Sequence, residues 1–223
     1  MSEFYSIKPA VDTKETGKIY PAVESYDNYD FNSSRSVHKL TFRKFPDFEP
    51  DIKFKLAKGA KLCDVMGQAT ISAHGLLISE KAKEVFSEIK LAPHKFYPGY
   101  IEDHNGNIHK YYWMHLVWED MTKFIAYQNS SFYKRKFSNN LGELCIDSDQ
   151  QFWKVKEELG SRYMIGINRI QLEKGIDFHL FPFPYSSDIL ITNSAVNQVN
   201  SLSGLDISPD DSISTDQEAN HLS

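Results

Sequence analysis

The chain predicts an α+β fold: a largely antiparallel sheet, about three packed helices, and a strand–helix–strand unit that occurs twice. Three observations predict it. Short apolar or alternating runs recur between turn signals, as strands do. Three segments carry a capping residue ahead of apolar residues at helical spacing. Aromatic residues make up 13% of the 223 residues, with 15 Phe and 12 Tyr, which favours strands and large buried side chains.

Residues 4–8 alternate apolar and polar, as a half-buried strand does. Residues 12–36 are polar and dotted with tyrosine, and read as a long loop. Short strands are expected at 37–43 and 52–56, around the proline-punctuated stretch Phe45-Pro46-Asp47-Phe48-Glu49-Pro50. Leu76-Leu77-Ile78 forms a further strand. Ser79 then caps a helix whose apolar face is Ala82, Val85, Phe86 and Ile89, and Pro93 ends the segment. Asn105-Gly106 lies between two apolar runs and predicts a hairpin. Its return strand, residues 108–118, is almost wholly apolar and aromatic, as a central strand is. Residues 121–127 and 131–137 continue the meander.

Ser148 and Gln151 form a capping box, with Asp149 adding negative charge to the first turn of a second helix. Phe152, Val155 and Leu159 give that helix a buried face and Gly160 stops it. Strands follow at 163–172 and 176–183, parted by Glu173-Lys174-Gly175. Pro182 and Pro184 place the second at a sheet edge. The strand Ile189-Leu190-Ile191 leads to a third helix, capped by Thr192 or Asn193, carrying Ala195, Val199 and Leu202, and stopped by Gly204.

This last segment parallels an earlier one. Leu190-Ile191-Thr192 matches Leu77-Ile78-Ser79, Ala195 matches Ala82, Val199 matches Phe86, and Leu202 matches Ile89. Ile207-Ser208-Pro209 follows as Phe96-Tyr97-Pro98 does, so the strand–cap–helix–strand unit is read as an internal repeat. A single domain is therefore expected over residues 1–209, followed by a polar, disordered tail over 210–223.

The net charge of −5 argues against a general nucleic-acid binder and suits a basic partner. Met1-Ser2-Glu3-Phe4-Tyr5 lacks a basic segment followed by an apolar run, so no secretory signal is expected. No stretch approaches the roughly 20 apolar residues of a membrane span. The two cysteines, Cys63 and Cys145, each follow a leucine and read as small buried thiols of a cytoplasmic protein.

No residue set in the sequence predicts catalysis, a cofactor or a metal. His104, His109 and His115 cluster beside Asp103, but His109 and His115 stand about 20 Å apart on an extended strand, too far to share one ion. The carboxylate pairs Glu119-Asp120 and Glu157-Glu158 are adjacent in sequence and diverge on either a strand or a helix. There is no Walker loop, GxGxxG, GxSxG or HExxH. Tyr133-Lys134-Arg135-Lys136-Phe137 interleaves charge with aromatics, as single-strand nucleic-acid binders do, and equally as an edge strand guarded against aggregation does. The aromatic and acidic residues of the long loop suit a protein contact, with Tyr26 and Tyr29 as anchors and Asp27 and Asp30 as steering charges, and equally a loop that folds back onto the sheet.

In the order of its patterns the chain resembles the bacterial immunity proteins of polymorphic toxin systems, a family formerly described as a domain of unknown function. The residues that carry this are Phe4-Tyr5-Ser6-Ile7-Lys8-Pro9, Leu77-Ile78-Ser79-Glu80-Lys81-Ala82-Lys83, Phe96-Tyr97-Pro98, Tyr111-Tyr112-Trp113-Met114-His115 and the second strand–helix unit. The second unit departs from the first, with Asn193-Ser194 in place of Glu80-Lys81. The resemblance implies a protein of the producing cell's cytoplasm that binds and neutralises a cognate toxin domain, with no catalytic residues, cofactor, nucleic acid or membrane involved. Two alternatives stand beside it: an enzyme using Asp103, His104 and their neighbours, and a scaffold protein unrelated to toxins.

Overall fold

A computed structural model describes residues 2–118 and 121–215. The fold is α+β, with three α-helices among the described residues and sheets whose strand pairs are mostly antiparallel. The chain divides into two compact units, one of residues 5–119 and 178–209, the other of residues 1–4, 120–177 and 210–223. Among the described residues no helix is long and apolar enough to cross a membrane.

The larger unit holds two sheets. The first is six-stranded and contains β2 (Val23–Glu24), β3 (Ile52–Leu56), β4 (Val65–Met66), β5 (Gly75–Ser79), β6 (His94–Glu102) and β7 (Ile108–Leu116), in the order β2-β3-β6-β7-β5-β4. The β6–β7 hairpin forms about the expected Asn105-Gly106 turn, with Glu102 opposite Ile108. β7 is central, and its unbroken apolar run follows from burial on both faces. Tyr111 and Trp113 enter one core cluster, while Tyr112, Met114 and Leu116 enter another. The first cluster is completed by loop residues, among them Tyr29, Val37 and Leu40.

The second cluster holds the two helices α1 (Glu80–Ser87) and α3 (Asn193–Val199). It also takes residues from the other sheet of this unit, β11-β12-β1-β13, formed by β1 (Phe4–Pro9), β11 (Leu180–Pro182), β12 (Ile189–Thr192) and β13 (Leu205–Asp210). Ser79 caps α1 by accepting a hydrogen bond from the Ala82 amide, and Phe86 and Ile89 are buried while Val85 is half-buried. In α3, Ala195 and Val199 are buried, and Leu202 follows just beyond the helix. Thr192 stands at the cap position, but its hydroxyl meets Ser194 and His179 and makes no cap bond.

The two strand–helix–strand segments share a connectivity. β5, α1 and β6 follow one another in sequence, and β5 and β6 both pair with β7, which lies between them. β12, α3 and β13 do likewise around β1. Both β5 and β6 run antiparallel to β7, so α1 is a crossover between parallel strands split by a third.

Gly204 ends the second segment in a left-handed conformation, φ +73°. A Cβ there would lie 2.4 Å from the Val65 carbonyl oxygen, so alanine meets both backbone strain and a backbone clash. Gly204→Ala is expected to lower the unfolding free energy by roughly 3 kcal/mol. A urea midpoint equal to that of the unsubstituted chain would refute this.

The smaller unit holds a four-stranded sheet, β14-β10-β8-β9, and the helix α2 (Asp149–Leu159). Its strands are β8 (Ser131–Lys136), β9 (Asn139–Leu144), β10 (Met164–Leu172) and β14 (Ile213–Thr215). Ser148 caps α2 through the Gln151 amide and Gly160 ends it at φ +60°. Phe152 is buried, with Val155 and Leu159 half-buried.

Several expectations are corrected. Residues 37–43 form no strand: Ser36 accepts a hydrogen bond from the His38 amide and sets a 3-10 turn over Val37–Lys39. Residues 121–127 are likewise wound into 3-10 turns, Met121–Phe124 and the start of Tyr127–Asn129. The strand expected at 176–183 shrinks to β11, which does sit at a sheet edge. β8 is an inner strand, and the edge is the polar β9. The tail expected from Asp210 onward continues as structure, since β14 pairs in parallel with β10; its remainder, from residue 216, lies outside the described residues.

Candidate partner-binding surface

The loop expected to meet a partner is laid against β3. Tyr26 is half-buried, its hydroxyl donates to Glu102 Oε2 at 2.6 Å, and its ring packs edge-on to Tyr100. Burial and that hydrogen bond push its phenol well above the ordinary value. Tyr29 is only 7% exposed. Its hydroxyl donates to the Asp51 carbonyl and accepts from the Val37 amide. Tyr29 therefore holds the loop to the core and presents no anchor to a partner, which corrects the expectation for that residue.

Asp27 and Asp30 are exposed, as steering charges must be. They do not form a purely acidic surface, however. Lys55 Nζ lies 5.0 Å from the Tyr26 ring centre and Lys53 Nζ 5.6 Å from that of Tyr29, both from the outward face of β3.

The β8–β9 hairpin carries a second surface, in the smaller unit. Lys136 pairs with Asn139, so Phe137 and Ser138 form a two-residue turn. Such turns require φ > 0 and favour Asn or Gly. Phe137 takes φ +53° with its ring 78% exposed. A bulky residue there is strained by roughly 1–2 kcal/mol, and no burial of the ring offsets it. Leu141 on β9 and Met164 on β10 are also exposed, at 50% and 45%.

The basic run leading into this turn is largely engaged within the sheet. A Cβ on Gly166 would fall 2.3 Å from the Tyr133 ring, so the tyrosine lies flat across that glycine on the facing strand. Lys134 Nζ sits 4.0 Å from the centre of the Tyr163 ring. Arg135 is half-buried, with Nη2 3.8 Å from Met164 Sδ. Only Lys136 and Phe137 of the five are exposed. Phe137 is legible as an aromatic of this run but not as a turn residue, because Lys-Phe-Ser-Asn lacks the Asn-Gly or Asp-Gly that marks a two-residue turn.

The histidine cluster is dispersed. Asp103 and His109 meet, Oδ2 to Nε2 at 3.0 Å, where Asp103 also accepts from the Asn105 and Asn107 amides and closes the hairpin turn. The His109 and Asn107 hydrogen bonds hold the Asp103 carboxyl far below the usual carboxylate range. His104 is exposed in the turn, and His115 is buried near the other end of β7. Among the described residues no group of three or more His, Cys, Asp or Glu is placed to hold a metal ion.

Both cysteines are free thiols. Cys63 is buried, and burial pushes its pKa up to about 11, which suits an inert core thiol. Cys145 is exposed, against the expectation that both would be buried. Glu157 and Glu158 are exposed on α2, whereas the pair Glu119-Asp120 lies outside the described residues.

No family model matches the chain, and no curated protein matches it.

Proposed function

We propose that this chain is an immunity protein that binds a cognate toxin domain in the cytoplasm of the producing cell and neutralises it stoichiometrically. The resemblance in pattern order supports the toxin as partner. The exposure of Phe137 in a strained turn is the observation that carries the binding claim: an aromatic ring costly to hold in the free protein gains its burial in a complex. A protein partner is favoured over nucleic acid because Tyr133 and Lys134 are engaged with Gly166 and Tyr163. Stacking on single strands needs several free rings and cations together.

The test mixes the chain with the toxin domain encoded beside it. A one-to-one complex is expected, and Phe137→Asn should weaken it about 30-fold, the effect of losing a hot spot of roughly 2 kcal/mol. The same substitution relieves the turn, so the urea midpoint should hold or rise. Charge reversal at Asp27 and Asp30 tests the other surface separately, through a slower association at low salt if these residues steer a basic toxin. Toxicity abolished by catalytic amounts of the chain, without a complex, would mean that it is an enzyme.

A further inference from the structure

The β8–β9 hairpin runs against the overall charge of the chain. Residues 131–144 carry Lys134, Arg135 and Lys136 against a single carboxylate, Glu143, in a protein whose net charge is −5. Among the described residues none of the three cations has a carboxylate within ion-pair distance. Lys134 is drawn onto the Tyr163 ring, whereas Lys136 is exposed.

Strand register gathers Arg135 with exposed apolar side chains. Residues directly opposite one another in neighbouring strands share a face of the sheet. Arg135 lies opposite Met164 on β10 and Asn140 on β9, while Glu143 lies opposite Tyr133. Arg135 and Met164 touch, Nη2 to Sδ at 3.8 Å. Phe132 points to the other face, where its ring meets that of Phe152 at 6.1 Å. The helix α2, with Glu157 and Glu158, therefore lies on the side of the sheet away from Arg135. Two residues beyond Arg135 comes Phe137, exposed on its strained turn.

This composition selects among occupants. A second copy of the chain in a two-fold contact would bring the same cations against one another. A nucleic-acid backbone calls for a broad basic surface, not two cations in an acidic chain. An exposed aromatic ring and a thioether are matched by an apolar pocket. A guanidinium is matched by a carboxylate, which accepts two parallel hydrogen bonds from it.

We propose that the hairpin docks on an acidic protein surface, with Phe137 in an apolar pocket and Arg135 and Lys136 on Asp or Glu carboxylates at its rim. The partner's charge is inferred on the reading that the Phe137 turn is a docking surface. It is opposite to the charge that Asp27 and Asp30 would steer, so the two candidate surfaces fit partner faces of opposite sign.

The experiment does not require the toxin. A library of random displayed peptides is selected on the full chain and counter-selected on the Phe137→Asn chain, so that only peptides needing the ring survive. These should be enriched in Asp and Glu, and the double variant Arg135→Gln, Lys136→Gln should bind them at least about tenfold more weakly, as loss of a hydrogen-bonded charge pair does. Should Arg135→Gln lower the urea midpoint, Lys136→Glu, at an exposed side chain, must still weaken them. Peptides that need Phe137 yet show no excess of acids, or that bind the double variant as tightly, overturn the acidic partner and leave the docking surface standing. Oligo-dT bound more tightly than the peptides, and lost with Phe137→Asn, overturns it in favour of nucleic acid. Dimerisation of the chain that Phe137→Asn abolishes overturns it in favour of a second copy. Recovery of no Phe137-dependent peptide overturns the docking surface itself, and the acidic partner with it.

Discussion

Asp64→Ala is expected to lower the unfolding free energy by about 2–4 kcal/mol, as loss of several charge-assisted hydrogen bonds to one half-buried carboxylate does. Asp64 Oδ1 accepts from Ser79 Oγ at 2.8 Å. Oδ2 accepts from Lys81 Nζ and from the amide and hydroxyl of Ser203, each at 2.9 Å. The carboxylate thus joins the N-cap of α1 to the turn after α3, tying the two strand–helix–strand segments together. Only 13% of its side chain is exposed. Alanine leaves the Ser203 amide and two hydroxyls short of an acceptor, and each lost charge-assisted bond is worth about 1.5–3 kcal/mol. Asp64→Asn should recover less than half, because its amide nitrogen would face other donors. Urea unfolding at pH 7 reads both, and a loss below about 1 kcal/mol for alanine would show that the network contributes little. Burial pushes the Asp64 carboxyl up, but the hydrogen bonds from Lys81, Ser203 and Ser79 outweigh this and leave it below the ordinary value. The folded state then holds the charged form more tightly than the unfolded chain does. That increment is complete above the unfolded pKa, near 4, and is lost as pH falls through the folded value.

What the sequence made legible was local chemistry with a single outcome. Ser79 and Ser148 cap helices because a hydroxyl ahead of an apolar period has few better uses, and the Asp103-to-Asn107 turn follows from Asn-Gly in the same way. The unbroken run of β7 was legible because both of its faces are buried. β9 was not, since an exposed edge strand such as Asn139–Leu144 has no buried face to impose alternation. Residues 37–43 carry Val37 and Leu40 into the core from an irregular segment, and periodicity does not separate that from a strand. The candidate surfaces were less legible still. Tyr26 and Tyr29 stand three apart in one loop, yet only the fold decides that Tyr29 is buried by its bonds to Asp51 and Val37. Phe137 gains its meaning from a backbone angle, and Arg135 from Met164, its partner on a strand distant in sequence.

Acidification from pH 6.5 to 5.5 is expected to destabilise the protein by up to about 2 kcal/mol through two buried histidines, each contributing about 1 kcal/mol over that unit where only the unfolded chain takes up a proton. His115 is fully buried, with Nε2 2.7 Å from the Thr41 carbonyl, Phe45 edge-on to its ring, and Nδ1 unpartnered. His74, nearly as buried, bonds the Ser186 carbonyl and packs near Phe42. Burial lowers both pKa values and outweighs the carbonyl bonds that favour the charged ring. Asp188 opposes the shift at His74, whereas Lys95 and His74 itself add to the shift at His115. Below the unfolded value of about 6.5 the unfolded chain therefore binds protons that the folded chain refuses, and stability falls with pH until the folded values are reached. This window lies above the one set by Asp64, so the two effects separate on a single pH series. His115→Gln keeps a donor for the Thr41 carbonyl but cannot titrate, and it should remove about half of the slope between pH 6.5 and 5.5. An unfolding free energy that stays flat from pH 7 to 5.5, or a slope that His115→Gln leaves unchanged, would show that these rings do not resist protonation in the folded protein.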